Sequence, residues 1–438
     1  MNYPDLNIPK TKSKRIVILG AGFAGLNLAK HLRNTAFQVV LIDRNNYHQF
    51  QPLFYQVAMA GLEPSAIAFP IRKVFHKSKN VYFRKAEILR VLTNENTVVT
   101  NNGDLSYDIL VVCLGAETNF FGNSRIEAHS FSLKSLGQSL GIRNQIFLDF
   151  EEAMFEIEYH NRQQFIDFVI VGGGPTGVEM AGALSELKRY VIAKDFPELD
   201  PYEIDIYLVQ SGNRLLPGMS EKASRKAEKY LKNMGVQLVL NDRVSDYDGV
   251  YAYLKSGNKI RTNKVIWAAG VKCPVIKGLE NFYEEGTGRI TVDSSCKVIH
   301  ASNIYAIGDI AGMSSLVYPG CHPQVAQVGI QMGDYLAKHF VKNMLNNRPG
   351  KPFIYKNKGV MATIGRHKAV ADFPKFSMGG WLTWMIWLWI HLFSLIGVRN
   401  KLIVMFNWMW NYVHFDSSLR LIIQQESRNP TQSSKEGN

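Results

Sequence analysis

The sequence predicts an α/β fold in which two nucleotide-binding βαβ beginnings share one chain and an apolar helical region follows them. Three observations predict it. The stretch IVILGAGFAGLNLAKHL, starting at Ile16, passes from a buried strand-like run through a Gly-rich turn into helical periodicity. The same arrangement recurs from Phe165 to Leu187 as FIDFVIVGGGPTGVEMAGALSEL. Short β-branched runs such as VYFRKAEILRVL and NTVVTNN, bounded by turn residues, add antiparallel strands to that plan.

The chain has 438 residues, room for roughly three modules at about 150 residues each. Lys and Arg number 50 against 37 Asp and Glu, a formal charge of +13, which suits an anionic partner. No zinc-ligand spacing and no basic region with heptads accompanies that charge, so no nucleic acid is expected. The four cysteines, Cys113, Cys273, Cys296 and Cys321, are too scattered for a disulfide scaffold and fit a reducing compartment. The start, MNYPDLNIPKTKSKR, lacks an apolar core or an Arg/Ser-rich amphipathic pattern, so neither export nor organelle import is expected.

Within GAGFAG, Gly20 permits a tight turn, Gly22 lets backbone approach a pyrophosphate, and Gly25 lets the helix pack closely on the strand. The next strand, VVLID, ends in Asp43, about 20 residues on, where a carboxylate would hold a ribose hydroxyl. Gly172, Gly174 and Gly177 repeat the pattern after FVIV, so two dinucleotides are expected on one chain, each in a Rossmann-like domain. There the following strand ends at Gln210 in place of an acid. A neutral amide still bonds a ribose hydroxyl and does not repel a 2′-phosphate, so NADPH stays open beside NADH, with Arg214 available to attract that phosphate. VVCLGAE (Val111 to Glu117) and VIWAAGV (Val265 to Val271) are strands running into small-residue turns, and SNIYAIGDIAG places Asp309 after a strand and a Gly.

That order resembles the two-dinucleotide fold of the pyridine-nucleotide flavoprotein oxidoreductases, and within them the type II NADH:quinone oxidoreductases, single-chain NADH dehydrogenases that do not pump protons. RNNYHQFQPLFYQVA (Arg44 to Ala58), GGGPTGVEMAGAL, IYAIGDIAG, VAQVGIQMG (Val325 to Gly333) and the Trp-rich end carry the resemblance, over about residues 14–423. It implies that Gly20, Gly22, Phe23, Ala24, Gly25, Asp43, Arg44, His48, Gln56, Ala86, Gly115, Asp309, Ala326 and Gln327 hold FAD, with Gly115 and Asp309 at its pyrophosphate and ribityl side. Gly172, Gly174, Pro175, Thr176, Gly177, Glu179, Gln210, Ala269 and Gly270 would hold NADH. Glu179, Gln327 and Gln331 would act in catalysis, and no metal is implied. Glu179 would orient the nicotinamide or manage charge as hydride leaves; the plainer reading is a helix N-terminal acid complementing the dipole. Gln327 and Gln331, at i and i+4 on one helix face, suit quinone carbonyls or buried polar contacts alike. His48 reads equally as a structural histidine. The implied division is an FAD-binding domain in two parts, 14–120 and 286–345, a connecting segment 121–160, an NAD(P)H-binding domain 161–285, a C-terminal membrane-associating region 346–423 and a disordered tail 424–438.

The cysteines lack the close redox-active pair that disulfide-reducing and sulfide-oxidising members of the superfamily need. Hydride transfer to a flavin asks the protein for geometry and water exclusion more than for acid–base groups. A lipid-soluble quinone requires reach into the bilayer. From Phe376 to Val398 no Asp, Glu, Lys or Arg occurs, and six of the seven tryptophans lie between Trp381 and Trp410. This stretch reads as two helices lying in or dipping into one leaflet, with a buried hairpin or a homodimer interface as alternatives. The basic excess would attach it to anionic lipid on the cytoplasmic face of the cell membrane as a peripheral, monotopic protein. A soluble reductase of a small electron carrier and a non-catalytic NADH-sensing membrane flavoprotein are the competing functions.

Overall fold

The computed structural model describes residues 5–344, 351–414 and 419–423. The expected tail 424–438 lies outside them. Along the chain, the first unit comprises β1 (Arg15–Leu19), α1 (Phe23–His31), β2 (Gln38–Asp43), α2 (Phe54–Ala58), β3 (Val81–Lys85) and β4 (Ile109–Val112). The second comprises β5 (Phe131–Ser132), α3 (Leu136–Ala153), β6 (Phe168–Val171), α4 (Pro175–Leu187), β7 (Ile206–Gln210), β8 (Gln237–Leu240) and β9 (Val265–Trp267). The chain then returns through β10 (Ile304–Ala306) and α5 (Ala326–His339). It ends in β11 (Val360–Thr363), β12 (Ala369–Asp372), β13 (Ser377–Gly379), α6 (Trp381–Ser394) and α7 (Val398–His414).

Two five-stranded parallel sheets result, in the orders β10-β4-β1-β2-β3 and β5-β9-β6-β7-β8. Ile16 to Leu19, Val39 to Ile42, Ile109 to Val112 and Phe168 to Val171 are all buried, the continuous apolar pattern of strands covered on both faces. Each unit also carries a three-stranded antiparallel meander, and Glu117–Thr118 pairs with Val271–Lys272 to join the units. Small residues bring the returning segment home: a Cβ on Gly333 would lie 2.8 Å from the Ala24 carbonyl oxygen, so α5 packs directly against α1.

Two stretches differ from their expected segments. Residues 121–160 contain β5, which pairs with β9, and α3, whose buried Asp149 accepts from Lys264 at 2.8 Å. Removing one partner of such a pair strands a charge and costs about 3–5 kcal/mol. Residues 360–379 form an antiparallel sheet, β11-β12-β13, seated on α4. Its turn approaches so closely that a Cβ on Gly182 would meet the Gly365 nitrogen at 2.6 Å. The membrane-associating expectation for 346–423 therefore narrows to α6 and α7. Among the described residues no helix is long and apolar enough to cross a membrane.

Candidate functional site

The two nucleotide cradles share one backbone geometry. Gly20 has φ +100° and Gly172 φ +110°, and a Cβ at either would lie within 3 Å of the neighbouring strand's exit, at Cys113 and Ala268 respectively. A Cβ on Gly25 or Gly177 would fall about 2 Å from the carbonyl oxygen of Gly20 or Gly172, closer than any side chain survives. The strand-end side chains then brace the loops. Asp43 Oδ2 accepts the Ala21 N–H at 2.7 Å, and Gln210 Oε1 accepts the Gly173 N–H at 2.8 Å.

The residues fit two bound dinucleotides. No heavy atom stands within 4 Å of a Cβ built on Gly22, Gly115 or Gly174, so backbone at all three faces open space. Gly22 and Gly174 are the N-caps of α1 and α4 and have no side-chain cap, leaving helix N–H groups for an anion. Burial raises the Asp43 carboxyl despite its bonds from Ala21 and Asn45, a cost that a ribose hydroxyl donor would offset.

Around the first cradle, His48 is buried, lies edge-on to Phe23 at 5.2 Å and has Nδ1 3.0 Å from the Ala21 carbonyl oxygen. A carbonyl only accepts, so Nδ1 carries the proton and Nε2 keeps its lone pair. Burial pushes the ring pKa down to about 4, so His48 is neutral. Ala86 N–H donates to the Asp43 carbonyl and is buried, and Arg44 is exposed beside it. Asp309 is half-buried and raised by burial, an effect opposed by Lys134 and Arg289. Lys134 lies in no sequence motif.

Around the second cradle, Pro175 opens α4 and Thr176 is exposed. Ala269 and Gly270 follow β9, where the Trp267 indole donates to the Asn119 and Ala269 carbonyls. The Phe121 ring, 68% exposed, sits so near Gly270 that a Cβ there would be 2.8 Å from it. Arg214 departs from expectation: its guanidinium donates to the carbonyls of Met219 and Pro217, closing its own loop instead of reaching toward a 2′-phosphate.

The units meet at Glu179. Its Oε1 accepts the Thr363 N–H at 3.4 Å, and burial pushes the carboxyl up to about 8. Thr363 Oγ1 lies 3.0 Å from Tyr55 Oη, which accepts from Gln56 Nε2 at 2.9 Å; Gln56 Oε1 in turn accepts the Trp408 indole N–H at 2.8 Å. A continuous polar line thus runs from α4 through β11 and α2 to α7. Beside it lies a cavity of about 120 Å³ lined by Tyr55, Thr363, Glu186, Arg366, Trp384, Leu388, Trp408 and Tyr412, among others.

Two glutamines and a glutamine-bearing motif behave differently from the functional expectation. Gln327 and Gln331 share a face of α5, yet both amides are engaged with backbone: Gln327 with Gly359 and Lys358, Gln331 with both groups of Lys356. They clamp the strand leading into β11, with Ala326 at the head of their helix. Gln56 ties α7 to Tyr55. The tryptophans also divide. Trp381, Trp389 and Trp410 are each more than half exposed, whereas Trp387 is buried and Trp384 and Trp408 are partly buried against the cavity.

A family model described as pyridine nucleotide-disulphide oxidoreductase matches residues 14–333, and one described as NDH2 C-terminal domain matches residues 357–414. The type II NADH:quinone oxidoreductase NdhA of Mycobacterium tuberculosis is 35% identical over 410 residues, covering 90% of this chain and 86% of the relative. The type II NADH:quinone oxidoreductase Ndh of the same organism is 32% identical, covering 90% and 87%. Among solved structures, NDH2 from Plasmodium falciparum in complex with NADH has the same fold, with a TM-score of 0.85 at 21% identity over 94% of this chain and 100% of that one.

Proposed function

The chain belongs to the pyridine nucleotide-disulphide oxidoreductases and, within them, to the type II NADH:quinone oxidoreductases, and from that premise we propose how its own residues divide the work. The reaction oxidises NADH and reduces a quinone, without proton pumping. Bound FAD supplies the two-electron relay between a hydride donor and the quinone.

The loop Gly20 to Gly25 and the open end of α1 hold the FAD pyrophosphate, Asp43 takes a ribose hydroxyl, and Gly115 and Asp309 border the same molecule. The loop Gly172 to Gly177 holds NADH in the matching way, with Gln210 on its ribose. Glu179 is largely protonated at neutral pH, so it presents an O–H to the nicotinamide while its other oxygen stays on Thr363. A neutral acid there orients the ring through its O–H and leaves the forming nicotinamide cation without an anionic partner. Gln327 and Gln331 act through the strand they clamp, fixing Thr363 and hence Glu179. Phe121 stands over the Gly270 side and offers the nucleotide an exposed aromatic face.

The quinone head enters the cavity between α2, β11, α6 and α7. Its volume is comparable with the roughly 150 Å³ apolar cavity known to accept benzene. The outer faces of α6 and α7, with Trp381, Leu382, Trp389, Phe393, Phe406 and Trp410 exposed, lie in one leaflet, and the basic excess favours anionic lipid on the cytoplasmic side.

The polar line from Glu179 to Trp408 carries this reading, because it joins the second cradle to the tail cavity. The test is anaerobic rapid mixing of the FAD-loaded protein with NADH, then with quinone in anionic vesicles. Glu179→Gln, which keeps a neutral donor and the oxygen on Thr363, should stay close to wild type, whereas Glu179→Ala, which removes the donor, should slow bleaching by roughly ten- to a hundredfold and alter the charge-transfer absorbance with FAD retained. Unchanged rates and spectra in the Ala variant would remove Glu179 from the reaction. Reoxidation by a small carrier protein but not by quinone would favour the soluble reductase, and flavin that NADH does not bleach would favour the sensor.

A further inference from the structure

Two helical turns past Glu179, on the same α4, a second, half-buried carboxyl has no place in the scheme above. Glu186 lines the cavity, and its side chain is 21% accessible. Its Oε1 accepts the Arg366 backbone N–H, and its Oε2 stands 3.9 Å from Arg366 Nε. The turn comes this close because Gly365, at φ +64°, has no side chain: a Cβ there would be 2.7 Å from Glu186 Oε1. The Arg366 guanidinium also donates to the Asn411 carbonyl of α7, so it is shared and does not hold Glu186 in a close bidentate pair.

The groups facing this carboxyl come from every wall. Arg366 and Lys368 lie on the β11–β12 turn, Tyr190 follows α4, Tyr55 lies on α2 and Tyr412 on α7. His367 packs against Trp384 and Tyr412, and its burial together with Arg366 and Lys368 disfavours its charged form. Tyr55 is held protonated by burial and by the nearby Glu179. Glu186 is therefore the cavity-lining carboxyl able to give and regain a proton near neutrality, burial having pushed it up to about 7.

We propose that Glu186 delivers to the bound quinone the one proton that the overall reaction takes from water. The balance requires such a proton: NADH, H⁺ and quinone give NAD⁺ and quinol. Hydride carries two electrons and one hydrogen nucleus, and the second hydrogen comes from outside. As the electron pair reaches the ring, the Glu186 O–H bond breaks and an O–H bond forms at a quinone oxygen. The carboxylate left behind is stabilised by the Arg366 N–H and guanidinium, then regains its proton from water at the half-exposed turn carrying His367. This inference rests on the quinone reading of the cavity.

The test uses the full FAD-loaded chain in phosphatidylcholine–phosphatidylglycerol vesicles with a short-tailed ubiquinone. The share of quenching that Trp384→Phe with Trp408→Phe removes reports quinone binding in the cavity independently of turnover, apart from the exposed tryptophans that lipid-dissolved quinone reaches. Glu186→Gln should bind quinone within twofold of wild type, and NADH should bleach its flavin at the same rate. Reoxidation by quinone should slow about 100-fold, while reoxidation by ferricyanide, which takes no proton, stays unchanged. In wild type the quinone step should decline as pH rises through about 7, with the acid form as donor; in the Gln variant that dependence should vanish, and Glu186→Asp should restore part of it. A Gln variant with wild-type reoxidation and pH profile overturns the proposal, as does one that has simply lost quinone binding. Absence of that share of quenching would instead overturn the cavity reading itself.

Discussion

Replacing Gln210 with Glu tests the nucleotide preference at one atom. Gln210 Oε1 already accepts the Gly173 N–H at 2.8 Å, and a carboxylate oxygen keeps that bond, so the loop is preserved. The change falls on the other end, where Nε2 becomes a second oxygen beside Gly212, which has no side chain to clash with it. Arg214 cannot neutralise the new charge without leaving the carbonyls of Met219 and Pro217. Two unit charges about 5 Å apart repel by roughly 0.8–3 kcal/mol at effective dielectrics of about 80 to 20. The kcat/KM for NADPH should therefore fall about 4- to 150-fold, less at high salt. For NADH the ribose hydroxyl, which accepts from the Nε2 amide in Gln210, donates instead to an ionised oxygen, worth about 1 kcal/mol or a fivefold gain. Initial rates with both nucleotides and ferricyanide as acceptor would measure the ratio free of any quinone step. A ratio unchanged within twofold would refute the claim that Gln210 faces the 2′ position.

Gly177→Ala should abolish NADH binding, read by titration, with FAD retained, because its Cβ would strike the Gly172 carbonyl oxygen at 1.9 Å in the second cradle only; loss of FAD as well would show that the cradles are not independent. Phe393→Glu with Trp410→Glu should release the protein from anionic vesicles in a sedimentation assay and leave the melting temperature within a few degrees. Both side chains are more than half exposed, so continued sedimentation, or a shift from dimer to monomer, would assign that face to protein contact. Removing the tail outright is a poorer test, since Trp387, Leu392 and Val404 belong to the core.

The cradles were legible in the sequence because each is local: strand, turn and helix follow one another, and steric need for glycine leaves a mark at fixed spacing. Asp43 and Gln210 were legible for the same reason, each ending the next strand. The junction was not. Tyr55 and Gln56 meet Thr363 and Trp408 across more than 300 residues of chain, and the motif that holds Tyr55 and Gln56 names neither partner. Glu186 belongs to no motif, and the β11–β12 turn that closes over it lies about 180 residues away along the chain. Lys134 and Phe121 lay in a stretch without periodicity that reads as a connector. The tail misled in part because its Trp content and lack of charge describe the whole segment. Only the helical period, placing Thr383, Trp387 and Leu392 inward, separates the core face from the outer one. Gln327 and Gln331 shared a face as expected, and the partner of that face turned out to be backbone.

In the proposed membrane attachment, the inner and outer surfaces of α6 and α7 are two sides of the same thin wall, with the cavity behind and lipid in front. A hydrophobic substrate reaching the head site through that wall never passes through bulk water, so its effective concentration is its mole fraction among the lipids. Diluting vesicles with buffer should then leave the rate per enzyme constant, while diluting quinone with inert phospholipid should lower it.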